Sequence, residues 1–328
     1  MQSLNTIISH ILRGRYDFMY EKILIATDFS KHAEKLIECV GEIPGVKEVV
    51  LLHVLEKDPL ARVWSPGDDL KQAVNQMEAP KKVLEDANLK VKIRAEIAEE
   101  TPEYAVIRHV AREENVSLVV MGARGRSMWQ GLLLGSVSSG VLRYGDKDLL
   151  IMRYKTLDED KEKLGKYCSR IFGKVLAPTD FSPAGNAAIE LIKEAKLTNN
   201  VLLLNVVAKG EKQSHLDAAL KNAQEKLEEM KADLAAAGIS ARTFAVSAAA
   251  EEQRTYGSGG MVKVEPSHLA AVGGVVDKIL AVAEIEDASL IALGSHGMGW
   301  VDEVTIGSVV SDVARMGQRP VLVVRSKK

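Results

Sequence analysis

Cysteine is nearly missing from this chain of 328 residues: Cys39 and Cys168 are the only two, they form no CxxC pair, and no histidine-rich cluster accompanies them. That argues against a disulfide framework or a structural zinc site and makes a reducing cytoplasm the expected setting. Prolines number nine, aromatic residues make up 5%, and no low-complexity tract occurs, while 46% of residues are hydrophobic. Collagen-like and disordered chains are thereby excluded, and a sizeable core can form. Charge of one sign is also lacking. Lys plus Arg total 43 against 45 for Asp plus Glu, so no basic excess is present to neutralise nucleic acid or an anionic membrane, and neither is expected as a partner. No long apolar run exists. Near the N-terminus Leu4, Ile7, Ile8, Ile11 and Leu12 fall at helical spacing, but Asn5, Ser9 and His10 interrupt them and Arg13 and Arg15 follow. Residues 1–18 therefore read as an amphipathic arm rather than a signal peptide or a transmembrane segment, with a start at Met19 as the alternative.

What is present is a duplication. Lys22-Ile-Leu-Ile-Ala-Thr-Asp-Phe-Ser30 recurs as Lys174-Val-Leu-Ala-Pro-Thr-Asp-Phe-Ser182, and Val49-Val-Leu-Leu-His-Val54 as Val201-Leu-Leu-Leu-Asn-Val206. Leu118 to Gly125 is answered by Leu290 to Gly297, and each half closes on an apolar run, Asp148 to Arg153 and Pro320 to Arg325. The expected domains are 19–154 and 171–328, joined by a charged linker at 155–170, as the length also suggests.

Within each copy, unbroken Val, Ile and Leu runs alternate with stretches of helical period. In the first copy the strands are expected at 22–26, 48–54, 90–97, 117–121 and 148–152. Strands without polar alternation are buried on both faces, and strands separated by helices run parallel. Each copy is therefore expected to be a doubly wound, five-stranded α/β domain. Such sheets bind ligands beyond the carboxyl ends of their strands, where strand order reverses.

Two strand ends carry unusual residues in both copies. The first strand runs into Thr27-Asp28 or Thr179-Asp180. The fourth runs into a glycine loop, Gly122-x2-Gly125-x9-Gly135-Ser136 in the first copy and Gly294-x2-Gly297-x9-Gly307-Ser308 in the second. The second copy is about 20 residues longer between its Asp and its first loop glycine, yet the loop spacing is identical. Glycine permits a left-handed backbone and the close approach of amides to an anion, and a helix start offers unpaired amides and a favourable dipole. The pattern thus predicts a phosphate cradle, with Ser136 and Ser308 either capping the helix or donating to phosphate. Asp28 and Asp180 are read as ligand groups, with an N-cap role as the alternative that Ser30 and Ser182 could equally fill. His53 reads as a packed or backbone-bonded histidine, and His296 as a phosphate contact or an exposed loop residue.

These residues resemble the universal stress protein family, in its branch with the G-x2-G-x9-G-(S/T) motif. The likeness covers roughly 19–154 and 171–326, and that branch binds ATP, usually with Mg²⁺. The resemblance implies adenine and ribose near Ala26, Thr27, Asp28, Val54, Met121 and Gly122. Phosphates would meet Gly125, Gly135, Ser136, Val137 and Ser138. Arg124 and Arg126 in the first loop read either as offsetting phosphate charge or as ordinary solvated arginines. In the second copy the matching set is Pro178, Thr179, Asp180, Val206, Leu293, Gly294, Gly297, Gly307, Ser308 and Val309. Val310 there replaces the hydroxyl of Ser138, which puts phosphate affinity in question. The resemblance also implies pairing of the two copies as an internal pseudo-dimer through 149–152 and 321–324, with a homodimer as a further step.

The extra residues of the second copy, around 248–265, show no helical or strand period and read as a surface loop. A lid anchored by Tyr256 is the alternative. For function three classes stand: an ATP-binding regulatory module, a slow ATPase or phosphotransferase, and a tandem module that binds no nucleotide. No Walker motif, kinase catalytic loop or nucleophile elbow is present, so no catalytic residue is assigned, nor is a metal ligand. ADP or AMP could replace ATP as the ligand.

Overall fold

A computed structural model of the chain describes residues 20–56, 65–123, 134–153, 171–207, 213–248, 254–257, 260–263, 274–297 and 306–325. The expected arm, the linker, Arg124 to Arg126 and much of the segment at 248–265 lie outside them. The described chain falls into two compact units, the first ending in essence at Met152 and the second running on from Arg170.

In the first unit the elements alternate strictly: β1 (Lys22–Ala26), α1 (Lys31–Cys39), β2 (Glu48–Glu56), α2 (Pro66–Asp86), β3 (Lys90–Ala98), α3 (Glu103–Glu113), β4 (Leu118–Gly122), α4 (Ser136–Tyr144) and β5 (Asp148–Met152). All four strand pairings are parallel, in the order β5-β4-β1-β2-β3. The chain reverses direction of winding between β1 and β4, so the ends of those two strands flank a crevice. Ile23, Leu24, Leu51, Leu52, Leu149 and Leu150 are fully buried, as continuous apolar runs require when both faces are covered. At the amino end of the sheet, buried Glu114 accepts hydrogen bonds from Lys22 Nζ (3.0 Å), Lys92 Nζ (2.6 Å) and Arg94 Nη1 (2.8 Å). Those cations, Lys92 first, hold its carboxyl down at about 2.

The second unit repeats the plan with β6 (Val175–Pro178), α5 (Pro183–Ala195), β7 (Asn200–Val207), α6 (Gln213–Ala236), β8 (Ser240–Ser247), α7 (Val275–Ile285), β11 (Leu290–Gly294), α8 (Ser308–Met316) and β12 (Val321–Val324). The five expected strands are present in the order β8-β7-β6-β11-β12, but the reading of the inserted segment as a loop needs correction. The inserted segment forms a hairpin of β9 (Arg254–Gly257) and β10 (Gly260–Lys263), and β9 adds antiparallel to β8 with Ala245 opposite Tyr256 and Val246 opposite Thr255. A strand without alternating sequence forms because an existing sheet edge supplies its partner.

A second correction concerns cysteine. Cys39, at the buried end of α1, is disulfide-bonded; the chain's other cysteine, Cys168, lies outside the described residues. Spacing along the chain says little about such pairing, which depends on tertiary proximity, and a cytoplasmic setting loses the support that cysteine usage lent it. Among the described residues no helix is long and apolar enough to cross a membrane.

Candidate functional site

The turn after the first strand of each unit is built by its own short polar side chains. In the second unit Thr179 N–H continues the ladder to Leu204 O (2.8 Å), after which Phe181 N–H donates to Thr179 Oγ1 (2.8 Å). Asp180 Oδ1 accepts from Ser182 N–H (3.0 Å) and Oγ–H (2.6 Å), and Ser182 Oγ in turn caps α5 by accepting from Gly185 N–H (2.9 Å). The first unit reproduces the set: Phe29 N–H to Thr27 Oγ1 (3.2 Å), Ser30 N–H to Asp28 Oδ1 (3.1 Å) and Ala33 N–H to Ser30 Oγ (3.2 Å). The helix caps are therefore Ser30 and Ser182, and each aspartate braces a cap from outside the helix. Both turns force an aromatic residue into the left-handed region, Phe29 at φ 58° and Phe181 at φ 65°. Such a conformation costs about 1–2 kcal/mol in a bulky residue. Asn205 Nδ2 donates to Thr179 O (2.8 Å), and His53 Nδ1 stands at the same distance from Thr27 O, so His53 is a backbone-bonded histidine.

The glycine loop begins and ends at fixed points. Gly135 N–H donates to Ala123 O and Gly307 N–H to Ser295 O, both at 2.9 Å, which closes the loop neck identically in the two copies. Helices α4 and α8 then start at Ser136 and Ser308, and their N-caps are Gly135 and Gly307, with no side-chain hydrogen bond to the first turn. The expected capping role of the two serines is thus corrected: each is the first helical residue, exposed, beside amides that its own helix leaves without acceptors. Left-handed backbone is not what Gly122, Gly135, Gly294, Gly297 and Gly307 provide either. Among described glycines only Gly45, Gly238 and Gly274 have positive φ. Gly294 and Gly297 are needed for space: a Cβ on Gly294 would collide with Ala184 O, and one on Gly297 with Asp180 Oδ2. That second contact joins the two signatures, because it sets the Asp180 carboxylate against the glycine loop.

Around this junction lies a cavity of about 210 Å³. Pro178, Thr179 and Asp180 line it from the β6 turn, Val206 from β7, and Leu293, Gly294 and Gly297 from the β11 end. Gly307, Ser308 and Val309 complete it from the start of α8, so the ten residues singled out in the second copy surround one space. His296 lines it too, with Nδ1 2.8 Å from Ser295 Oγ. Sequence reading missed Gly185, Leu204, Val275 and Ile279. Val275 and Ile279 belong to α7, which carries no motif and reaches the cavity only by packing across the sheet.

In the first copy Ala26, Thr27 and Asp28 follow β1, Val54 lies on β2, and Met121 and Gly122 end β4, on adjacent parallel strands. Gly135, Ser136 and Val137 stand at the α4 start, while Arg124 and Gly125 lie outside the described residues. Ser138 is buried, and its hydroxyl donates to Gly122 O at 2.8 Å. Its single proton is thus spent on tying the strand end to the helix. Val310, equally buried, fills that position in the second copy by packing. The difference between the copies therefore bears on the loop's support more than on phosphate donors.

Comparison with known proteins agrees with this architecture. The profile of the Universal stress protein family matches residues 19–153 and 172–325. A universal stress protein of Methanocaldococcus jannaschii is 32% identical over 160 residues, which is 42% of this chain and 97% of the relative. One from Mycobacterium tuberculosis is 27% identical over 311 residues, 92% of this chain and 96% of its own length. The crystal structure of a universal stress protein from Archaeoglobus fulgidus, 24% identical, shares the fold with a TM-score of 0.62 over 95% of this chain and 99% of that one. With a duplicated sheet, a duplicated strand-end turn and a profile matched twice, the chain belongs to the universal stress protein family as a tandem of two domains.

Proposed function

We propose that this chain is a regulatory protein that binds an adenine nucleotide, ATP with Mg²⁺ foremost and ADP or AMP as its alternatives, at the carboxyl ends of the strands. One observation carries the reading. The cavity of the second unit is lined at one side by the turn of Thr179 and Asp180 and at the other by an uncapped helix start at Gly307 and Ser308. A polyphosphate fits such a start, because the free amides of the first turn donate and the helix dipole favours negative charge. The apolar walls of Val206 and Leu293 suit an adenine ring, and the Asp180 carboxylate suits a ribose hydroxyl. The first copy offers the same neck and the same uncapped start, with Asp28, Val54 and Met121 in the corresponding places.

Regulation then follows from linkage: a nucleotide that binds one conformation or association state better than another shifts the population toward it. Pairing of the copies through their last strands at 149–152 and 321–324, implied by the family resemblance, belongs to this proposal, as does a homodimer. Phosphoryl transfer would require a positioned base and a cationic stabiliser at the γ-phosphate, and the described lining of the cavity contains no lysine or arginine. The test is to denature purified protein and identify the released small molecules by mass spectrometry. An adenine nucleotide near stoichiometric amounts is expected from wild type, with much less from the double variant Gly135→Val with Gly307→Val. A chain that releases none and shows no heat on ATP titration would overturn the proposal.

A further inference from the structure

The helix before the glycine-loop strand differs between the copies at its first residue. α3 and α7 are each 11 residues long, and they start at Glu103 and Val275, in both cases fifteen residues before β4 or β11. They pack on matching elements, α3 on β2 and α4, α7 on β7 and α8. Residues four apart share a helix face. On that face of α7, Val275 and Ile279 wall the second cavity beside Val206 and Leu293. The same face of α3 carries Glu103 and Ile107, the second buried and the first half-buried. Tyr104, the next residue, is turned to α4, since a Cβ on Gly140 would strike its ring. Glu103 makes no hydrogen bond or ion pair among the described residues. A carboxylate withdrawn from water in this way gains from a donor that a ligand brings.

We infer that the first residue of this helix sets the base preference of each site. Glu103 accepts a hydrogen bond from the 6-amino group of adenine in the first, and Val275 leaves the base unread in the second, which takes purine nucleotides whatever their 6-substituent. This rests on the nucleotide reading above and assigns a base preference to each copy. The base is the part concerned because the wall these helices join is apolar, Val206 and Leu293 in the second copy and Val54 and Met121 at the matching positions of the first. Of the polar atoms on an adenine ring attached to ribose, only the 6-amino nitrogen donates, while the ring nitrogens accept and are repelled by a carboxylate. A bond from that amine to an ionised acceptor is charge-assisted and is worth about tenfold or more in affinity. Valine forfeits the bond but strands no buried acceptor, so a purine without the amine is not penalised there.

The test is calorimetry with ATP and with purine riboside triphosphate, which lacks only the 6-amino group, on full-length chains with one site blocked. Gly307→Val leaves the first site and Gly135→Val the second. At the first site ATP is expected to bind about tenfold more tightly than the analogue, and at the second the two should agree within about threefold. Adding Glu103→Val to Gly307→Val should bring the first site's ratio within about threefold, whereas adding Val275→Glu to Gly135→Val should raise the second site's ratio to about tenfold. A glutamate that served only the helix dipole would change the melting temperature and leave the ratio alone, so thermal melts by circular dichroism are recorded on the same samples. The inference is overturned if the first site binds ATP and the analogue equally, if a folded Glu103→Val chain keeps the preference, or if the second site prefers ATP as strongly as the first. Failure of ATP to bind the wild-type chain would instead overturn the nucleotide reading itself.

Discussion

A methyl group at Gly294 would strike Ala184 O, a backbone atom of the first turn of α5, which cannot move without shifting the helix. Gly294→Ala should therefore cost about 1–3 kcal/mol, as overpacking of a tight contact does, read as a lower urea midpoint at unchanged slope. Gly307→Ala meets only ordinary contacts and has a backbone any residue can adopt, φ −62° and ψ 145°. Its stability should stay within about 1 kcal/mol of wild type, while nucleotide affinity falls because the added carbon occupies the cradle. The pair separates glycines that serve the fold from those that serve the ligand. Glu114 shows the same logic for charge. Its carboxyl is held at about 2, below the ordinary 4.5, by Lys92 first, with Lys22 and Arg94 adding to it. A depressed acid stabilises the fold fully above its unfolded value, and the contribution is lost as pH falls through the folded one. Urea midpoints measured from pH 6 down to 2 should decline across the window from about 4.5 to 2 in wild type. Glu114→Gln should flatten that part of the curve and lower stability at neutral pH by about 1–3 kcal/mol.

At the scale of elements, the free edge of each sheet is protected differently. β3 presents Lys90, Lys92, Arg94 and Glu96, a row of charges that discourages strand addition. β8 has Arg242 as its single charge, and β9 covers it. Deleting residues 249–262 should expose that edge and produce concentration-dependent association in light scattering. Nucleotide affinity should change less than threefold. The strand order supports this, because β9 pairs with β8 and is separated by it from β7, whose Val206 lines the cavity. A loss of affinity beyond tenfold would place the hairpin over the ligand instead. Much at this scale was legible in the chain itself. β1 and β5 have the bounds that their apolar runs predict, since a strand buried on both faces leaves no polar gap to blur its ends. β9 and β10 were illegible, because their glycine-rich segment has no period of its own and pairs only where β8 offers an edge. The strand order β5-β4-β1-β2-β3 was equally hidden, being a matter of which crossovers pack together.

For the molecule as a whole, duplication was the most readable feature, since the same turn and the same loop spacing occur twice in one chain. Residues from the strand-end motifs could be named in advance because glycine spacing and short polar side chains are local requirements. Val275 and Ile279, which wall the cavity from α7, could not, because nothing in a helix's own period says which ligand its buried face will meet. The central claim is that uncapped helix starts beside the glycine necks hold the phosphates of an adenine nucleotide. Its most direct test is a calorimetric titration of Mg·ATP into wild type and into the double variant Gly135→Val with Gly307→Val, with circular dichroism verifying that the variant is folded. The account predicts saturable binding by wild type and at least a hundredfold weaker binding by the folded double variant. Equal affinity in the two proteins would contradict it.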